Sequence, residues 1–307
     1  MKNKILLAML VVILVSAQLA SGGNQKKLQI ELSGNYHFVQ PEHLNSLAAS
    51  EMQYLTFCFD KIYDSKSENG RIKSTRSLQT ITTRLKYSIS SSIQLSAGLS
   101  YLWNRVTSPY EVTYYRQESW RSVTDELDYL PWNTNIYGFI PSVGIHLNVP
   151  VSRTMQIEFS MTGGPLFVTL EYQKEMNQSL ISVSEQSLPV YNSKRSLQMD
   201  GKGTGVSLLG SIKLMKALTG AIGLSLEGGY AWQRVHHIEG SGTATFDDHS
   251  TIFTGEWGLV TELITTDWGS KELKFPTNDW QEFGQKSDDF ILDLSGFYIA
   301  IGFYLSL

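Results

Sequence analysis

The chain has 307 residues, 18% charged, with a formal net charge of −4 and one cysteine, Cys58. A mildly acidic balance gives no electrostatic support to a nucleic-acid partner. A lone cysteine rules out an intramolecular disulfide framework.

The first residues read as a secretory signal peptide. Lys2 and Lys4 precede an apolar run from Ile5 to Val15, and small residues follow at Ala17, Ala20, Ser21 and Gly22. A charged start, a short apolar core and a small-residue exit make that pattern, and the run is too short to span a bilayer as a helix. Residues 1–22 are therefore expected to be removed, with cleavage after 17 or 22 and export by the general secretory pathway. Residues 23–307 are expected to form a single β-barrel domain. No cysteine follows the apolar run to carry a lipid anchor, and no second long apolar segment appears.

From Leu28 onward the chain alternates apolar and polar residues in long stretches. The first expected strand is Leu28 to Phe38. A long polar segment follows, with a short strand at Tyr54–Phe59 inside it. The hairpin from Gln79 to Trp103 carries the clearest pattern. Ile81, Thr83, Leu85, Tyr87 and Ile89 alternate with Thr80, Thr82, Arg84, Lys86 and Ser88. After Ser90-Ser91-Ser92, Ile93, Leu95, Ala97, Leu99, Tyr101 and Trp103 alternate with Gln94, Ser96, Gly98 and Ser100. Period-2 alternation over about ten residues describes a strand with one apolar and one polar face. Ordinary strands run about five or six residues, whereas a tilted membrane-crossing strand needs about 9–11.

A second long segment, Asn104 to Asn135, leads to a strand at Tyr137–Val149, a tight turn at Pro150–Arg153, and a strand starting at Met155. At Gly163-Gly164-Pro165 the apolar residues pass from odd to even positions, which predicts a bulge. A third long segment, Gln173 to Gly203, precedes strands from Val206 to Leu214 and from Ile222 to Trp232, joined by a short turn. The fourth and longest, about His237 to Asp289, precedes the last strand, Phe297 to Leu307. Eight long amphipathic strands thus alternate short turns with long segments, all long ones at one end. The expected fold is an all-β, antiparallel, up-and-down transmembrane barrel of eight strands, with ten as the alternative count and four long extracellular loops.

Eight strands leave an interior filled by side chains. With the polar faces inward, the lumen receives Glu31, Arg84, Lys86, Glu158, Lys213 and Glu227, three acids and three bases that can balance. His37 and His146 also face inward, as network members rather than metal ligands. An outer aromatic girdle is expected from Tyr101, Trp103, Tyr137, Tyr172, Tyr230 and Trp232, and a periplasmic one from Tyr87 and Phe303.

In topology the chain resembles the small eight-stranded outer-membrane barrels of the OmpA/OmpX type. The resemblance rests on the signal peptide, the strand pattern and the aromatic-rich final strand Phe297-Tyr298-Ile299-Ala300-Ile301-Gly302-Phe303-Tyr304-Leu305-Ser306-Leu307. It implies the outer membrane of a Gram-negative-type bacterium, contact with outer-membrane lipid and lipopolysaccharide, and assembly by the barrel-assembly machinery through the C-terminal strand. That strand usually ends in Phe or Trp, and here it ends in Leu307. A fold-level likeness implies location better than activity.

For function, the loops are the remaining signal. Between His237 and Asp289 there are eleven acids and three bases. Trp120, Trp132, Trp257, Trp268 and Trp280 are candidate recognition residues for an extracellular ligand, since exposed aromatics rimmed by charge mark binding surfaces. A structural or adhesin-like surface role is the expectation, and a small-solute or hydrophobic-compound channel the alternative. A second alternative is a hydrolase resembling the omptin proteases, through Asp247-Asp248-His249. Such a site also needs a paired-aspartate element, and Asp125 and Asp128 have the wrong spacing. No catalytic residue, metal site or cofactor is expected.

Overall fold

The computed structural model describes residues 28–60, 62–117, 121–184, 191–266, 269–277 and 286–307. The expected signal peptide and the two domain boundaries drawn from it lie outside the described residues.

Eight strands close into an antiparallel ring. They are β1 (Leu28–Val39), β3 (Ser77–Ser88), β4 (Ile93–Thr107), β6 (Arg121–Pro150), β7 (Met155–Ser184), β8 (Tyr191–Ala217), β9 (Ile222–Phe246) and β15 (Gly296–Ser306). Each pairs with its sequence neighbours in the ring, and β15 returns to pair with β1 from Gln29↔Ser306 to Val39↔Gly296. Closure leaves the ring without an edge.

Three short turns, at residues 89–92, 151–154 and 218–221, lie at one end together with the start of β1 and the end of β15. At the other end the wall is uneven. Strands β1, β3 and β15 have 11 or 12 residues, whereas β6 to β9 have 25 to 30. Thirty residues span roughly 100 Å of strand, so one side of the barrel rises far above the other. Much of what the sequence presents as long loops is thus strand. Within segment 173–203, β7 and β8 stay paired from Gln173↔Gln198 to Leu180↔Tyr191. Strand β5 (Tyr110–Gln117) continues the β4 edge along β6 after Pro109, and β2 (Ser65–Gly70) pairs with β5. Strand β10 (His249–Glu256) pairs with the upper part of β9. Strands β11 (Gly258–Thr266), β12 (Gly269–Thr277) and β13 (Lys286–Asp289) form a separate small sheet, and the two-residue β14 (Leu292–Asp293) pairs with β9.

Two sequence expectations are corrected. The strand at Tyr54–Phe59 is the last part of a helix, α1 (Glu42–Phe59). Its buried residues Leu44, Leu47, Ala48, Glu51 and Leu55 follow helical spacing, which the local run of β-formers Tyr54 to Phe59 conceals. The bulge at Gly163–Pro165 is also absent: β7 keeps one register against β8 throughout. Odd residues of β7 face outward on both sides of that point, with Phe159 and Met161 exposed, and even residues face inward. What changes is the interior. Below, even positions are polar (Glu158, Ser160, Thr162); above, they are Leu166, Val168, Leu170 and Tyr172, all buried. Register shifts fall instead at Tyr129/Trp132, where β6 pairs with β7, and at Thr204/Gly205 opposite β9, where His236 has no partner on β8. Both His236 and His237 are consequently exposed.

The lumen therefore has two layers. Near the short turns it is polar. Above, an apolar core joins Leu78, Leu102, Ile136, Ile140, Leu166 and Val235 to the buried face of α1, which fills the mouth of the ring. Replacing Leu55 of α1 by Ala is expected to cost about 2–5 kcal/mol of local stability. Hydrogen exchange in micelles should show the α1 amides losing protection while those of β1 and β3 keep theirs; equal loss in both would contradict a separately docked helix.

Candidate functional site: a charged clasp inside the barrel

The polarity of the ring is inverted relative to a water-soluble protein. Val143, Ile301 and Ile212 are 68%, 64% and 58% exposed on the outside, while Glu158, Lys86 and Lys213 are fully buried within. The same belt carries Leu32, Leu95, Ile145, Leu208 and Leu226.

All six charged residues assigned inward lie within five residues of the short-turn ends of their strands and meet in one cluster. Register brings them together: Glu31 stands opposite Arg84, Glu158 opposite Lys213, and Lys213 opposite Glu227. Arg84 Nη1 donates to Glu227 Oε2 at 3.1 Å and to Glu31 Oε1 at 3.4 Å. Lys86 Nζ donates to both Glu158 oxygens at 2.7 Å. It also lies 2.7 Å from Glu31 Oε2, an ion-pair distance without hydrogen-bond alignment. Lys213 Nζ donates to Glu31 Oε1 and lies 3.0 Å from Glu227 and 3.3 Å from Glu158.

Further side chains tie in the remaining strands. His146 on β6 bonds Glu158 Oε1 through Nδ1 at 2.9 Å and Ser96 of β4 through Nε2 at 2.7 Å. Tyr298 of β15 donates its hydroxyl to Glu227 Oε1 at 2.6 Å. Every strand of the ring thus supplies at least one side chain. His37 does not join by hydrogen bond; it stacks on Tyr298 with ring centroids 5.0 Å apart. Below the clasp, Gly223 makes room for Tyr304, because a Cβ there would collide with the phenol ring.

Three carboxylates and three cations give formal neutrality. Burying so many charges costs desolvation, and the arrangement is tolerable because each charge has two or more opposite partners. Chemically the cluster is a closure: a neutral cross-brace filling a lumen of eight strands.

The aromatic assignments divide. Tyr87, Tyr230, Trp232 and Phe303 are exposed, and Tyr101, Trp103 and Tyr137 half-buried, on outward-facing positions. Tyr172 is not part of a girdle. It occupies an even, inward position of β7, 3% exposed, and packs edge-on against Trp132 at 5.7 Å. Of the recognition candidates, Trp132 and Trp257 are buried (2% and 1%), so they form core and not an exposed surface. Trp132 lies beneath Lys174, whose ammonium is 5.6 Å from the ring centroid, and Trp257 packs on Phe290 at 5.7 Å. Trp120, Trp268 and Trp280 lie outside the described residues. Around Asp247-Asp248-His249 the chain makes the β9–β10 turn, with Asp247 at φ +50° accepting a bond from the Lys194 amide at 2.8 Å. Asp125 and Asp128 stand on β6 opposite Tyr114 and Glu111. No group of three or more metal-ligating side chains forms among the described residues. The sequence reading missed Tyr298 and Ser96 as members of the clasp; their inward parity is the signal that finds them.

No family model and no curated protein matches the chain. Among solved structures, the translocator domain of the autotransporter NalP from Neisseria meningitidis is 8% identical over 98% of this chain and 95% of that one, with a TM-score of 0.19. A deletion mutant of the TodX monoaromatic hydrocarbon channel is 9% identical over 95% and 93%, with a TM-score of 0.20. Superpositions this loose carry no argument about this chain.

Removing Lys213 as Lys213→Met leaves three buried carboxylates facing two cations and should cost about 3–5 kcal/mol. Urea unfolding in micelles measures the loss, and adding Glu31→Gln should recover part of it. No recovery would mean that the charges do not act as one balanced unit.

Proposed function

We propose that the chain is an integral outer-membrane β-barrel protein, a closed anchor that holds a tall β-structure at the cell surface, with no enzymatic role. One observation carries the reading: aliphatic and aromatic side chains cover the outside of a closed ring while six charged groups are buried within it. Lipid supplies no hydrogen-bond partners, so a spanning sheet must close on itself and present an apolar exterior. On β8 the outward apolar run from Val206 to Leu214 covers nine residues, close to the 9–11 of a tilted crossing. The aromatics Tyr101, Trp103, Tyr137, Tyr230 and Trp232 suit one interface, and Tyr87 and Phe303 the other.

The clasp and the α1 core favour anchoring over a channel, since together they occupy the lumen along its length. The surface role rests on the projecting parts of β6 to β9. The buried positions of Trp132 and Trp257 remove them from any ligand surface, and the engagement of Asp247 in a turn gives no support to a hydrolase.

Two exposed isoleucines test the location. Ile212, within the belt, and Ile252, 75% exposed on β10 above it, both lack cover in the structure. In lipid vesicles, Ile212→Arg should destabilise by about 2–4 kcal/mol, whereas Ile252→Arg should change stability by no more than about 0.5 kcal/mol. Equal effects would remove the membrane assignment. A planar bilayer containing the purified barrel should show no steady conductance, and a sustained unitary current would overturn the closed lumen.

A further inference from the structure

The low flank of the barrel carries four exposed cations above its apolar belt. Arg71, Lys73 and Arg76 come from the stretch 71–76 that leads from β2 into β3, and Arg105 from the upper end of β4. The stretch is held between β4 and α1. Lys73 N donates to Ser108 Oγ at 2.8 Å, Asn104 Nδ2 to the Ser77 carbonyl at 2.5 Å and Thr75 N to Asn45 Oδ1 at 2.8 Å. Lys66, Lys174, Lys194 and Arg234 each lie within 3.1 Å of a carboxylate. Among the described residues, none of the four low-flank cations forms an ion pair.

The acids around them are engaged elsewhere. Glu171 lies one strand beyond Asn135, the register partner of Arg105, and accepts from Asn135 and Tyr137. Glu111 on β5 accepts from Asn69 Nδ2 at 3.1 Å, and Asp60 and Glu68 share Lys66. Glu42, exposed at the start of α1, cannot offset four positive charges by itself.

Directly below, a groove of about 500 Å³ opens on the outer wall. Its floor is Gly34, an outward position of β1 where a Cβ would meet nothing within 4 Å. Its sides are Tyr36, Phe38, Ile81, Trp103, Ile299 and Ile301, and no charged residue lines it. Register brings its upper end to the level of the cations. Phe38 stands opposite Ser77, the neighbour of Arg76, and Trp103 precedes Arg105 on the outward face of β4. Gln79 adds an amide donor there. An apolar trough that ends beneath unpaired arginines complements a hydrocarbon tail with an anionic head, and the guanidinium fork matches phosphate.

We propose that the low flank binds a phosphate-bearing lipid of the surrounding membrane. One acyl chain lies in the Gly34 groove, the phosphate meets Arg76 and Arg105, and Lys73 and Arg71 extend the positive field. The site rests on the membrane reading, since the chain enters from the belt.

The test uses the whole barrel in maltoside micelles, with bound ligand counted by native mass spectrometry. The probes are phosphatidic acid, diacylglycerol with the same chains, and inorganic phosphate. Phosphatidic acid should bind about tenfold more tightly than diacylglycerol, and inorganic phosphate should not be retained. Arg76→Gln combined with Arg105→Gln should weaken phosphatidic acid by about tenfold, and Gly34→Leu, which fills the groove, by a similar factor. Lys216→Gln, exposed at the short-turn end, should leave binding unchanged. These positions are exposed, so each variant should keep its urea midpoint. Equal retention of phosphatidic acid and diacylglycerol, or binding indifferent to the arginine pair or to Gly34→Leu, would overturn the proposal. So would a dimer that the arginine pair abolishes, which would give the cations to the acidic stretch of a second copy. Equal effects of the two isoleucine substitutions would overturn the membrane reading and the site together. Lipid indifference with the isoleucine difference intact would overturn the site alone.

Discussion

Glu31 is bound by three cations at once, and the rest of the barrel is arranged so that this is tolerable. A carboxylate buried to that degree persists only with opposite charges at hand. The strands supply them at fixed registers, and a ring of eight is narrow enough for Arg84, Lys86 and Lys213 to reach across. Enlarging the ring would separate these partners. The small strand number, the inward polar faces and the outward apolar belt are therefore one constraint seen from three directions.

The clasp accounts for only the lower lumen. Above it the interior becomes apolar, and a helix inserted between the first two barrel strands completes the filling. This division explains why β7 appears to change phase at Gly163–Pro165 while its backbone keeps register. Pattern readings assume that one face of a strand has one environment along its length. Here the inward face passes from an ionic layer to an apolar one, and the outward face passes from an apolar belt to polar surroundings near Thr169 and Glu171. Both faces exchange character over the same few residues, and the result mimics a bulge.

That exchange sets how much was legible beforehand. Strand number, closure, the direction of each alternating face and the six clasp residues follow from period-2 alternation, because the lower barrel obeys it without interruption. Tyr298 shares the same parity and escaped notice as an aromatic in a strand of aromatics. Helix α1 was hidden because its helical stripe is sparse and its last turn is rich in β-formers. Trp132 and Trp257 looked like surface residues because they lie in polar stretches. Their burial comes from sheet contacts between segments far apart in sequence, which local composition does not encode.

The unequal strand lengths have a mechanical corollary. A cylinder whose staves stand high on one flank and low on the other has a sheltered side and an open side. On the low flank, formed by β1, β3 and β15, the mouth is finished by α1 and by the stretch from Phe290 to Leu294, joined where the Ile291 amide donates to His43 Nδ1 at 2.9 Å. The helix is thus gripped from both flanks, since on the high side Lys174 Nζ of β7 lies 2.7 Å from Glu51 Oε1 of α1.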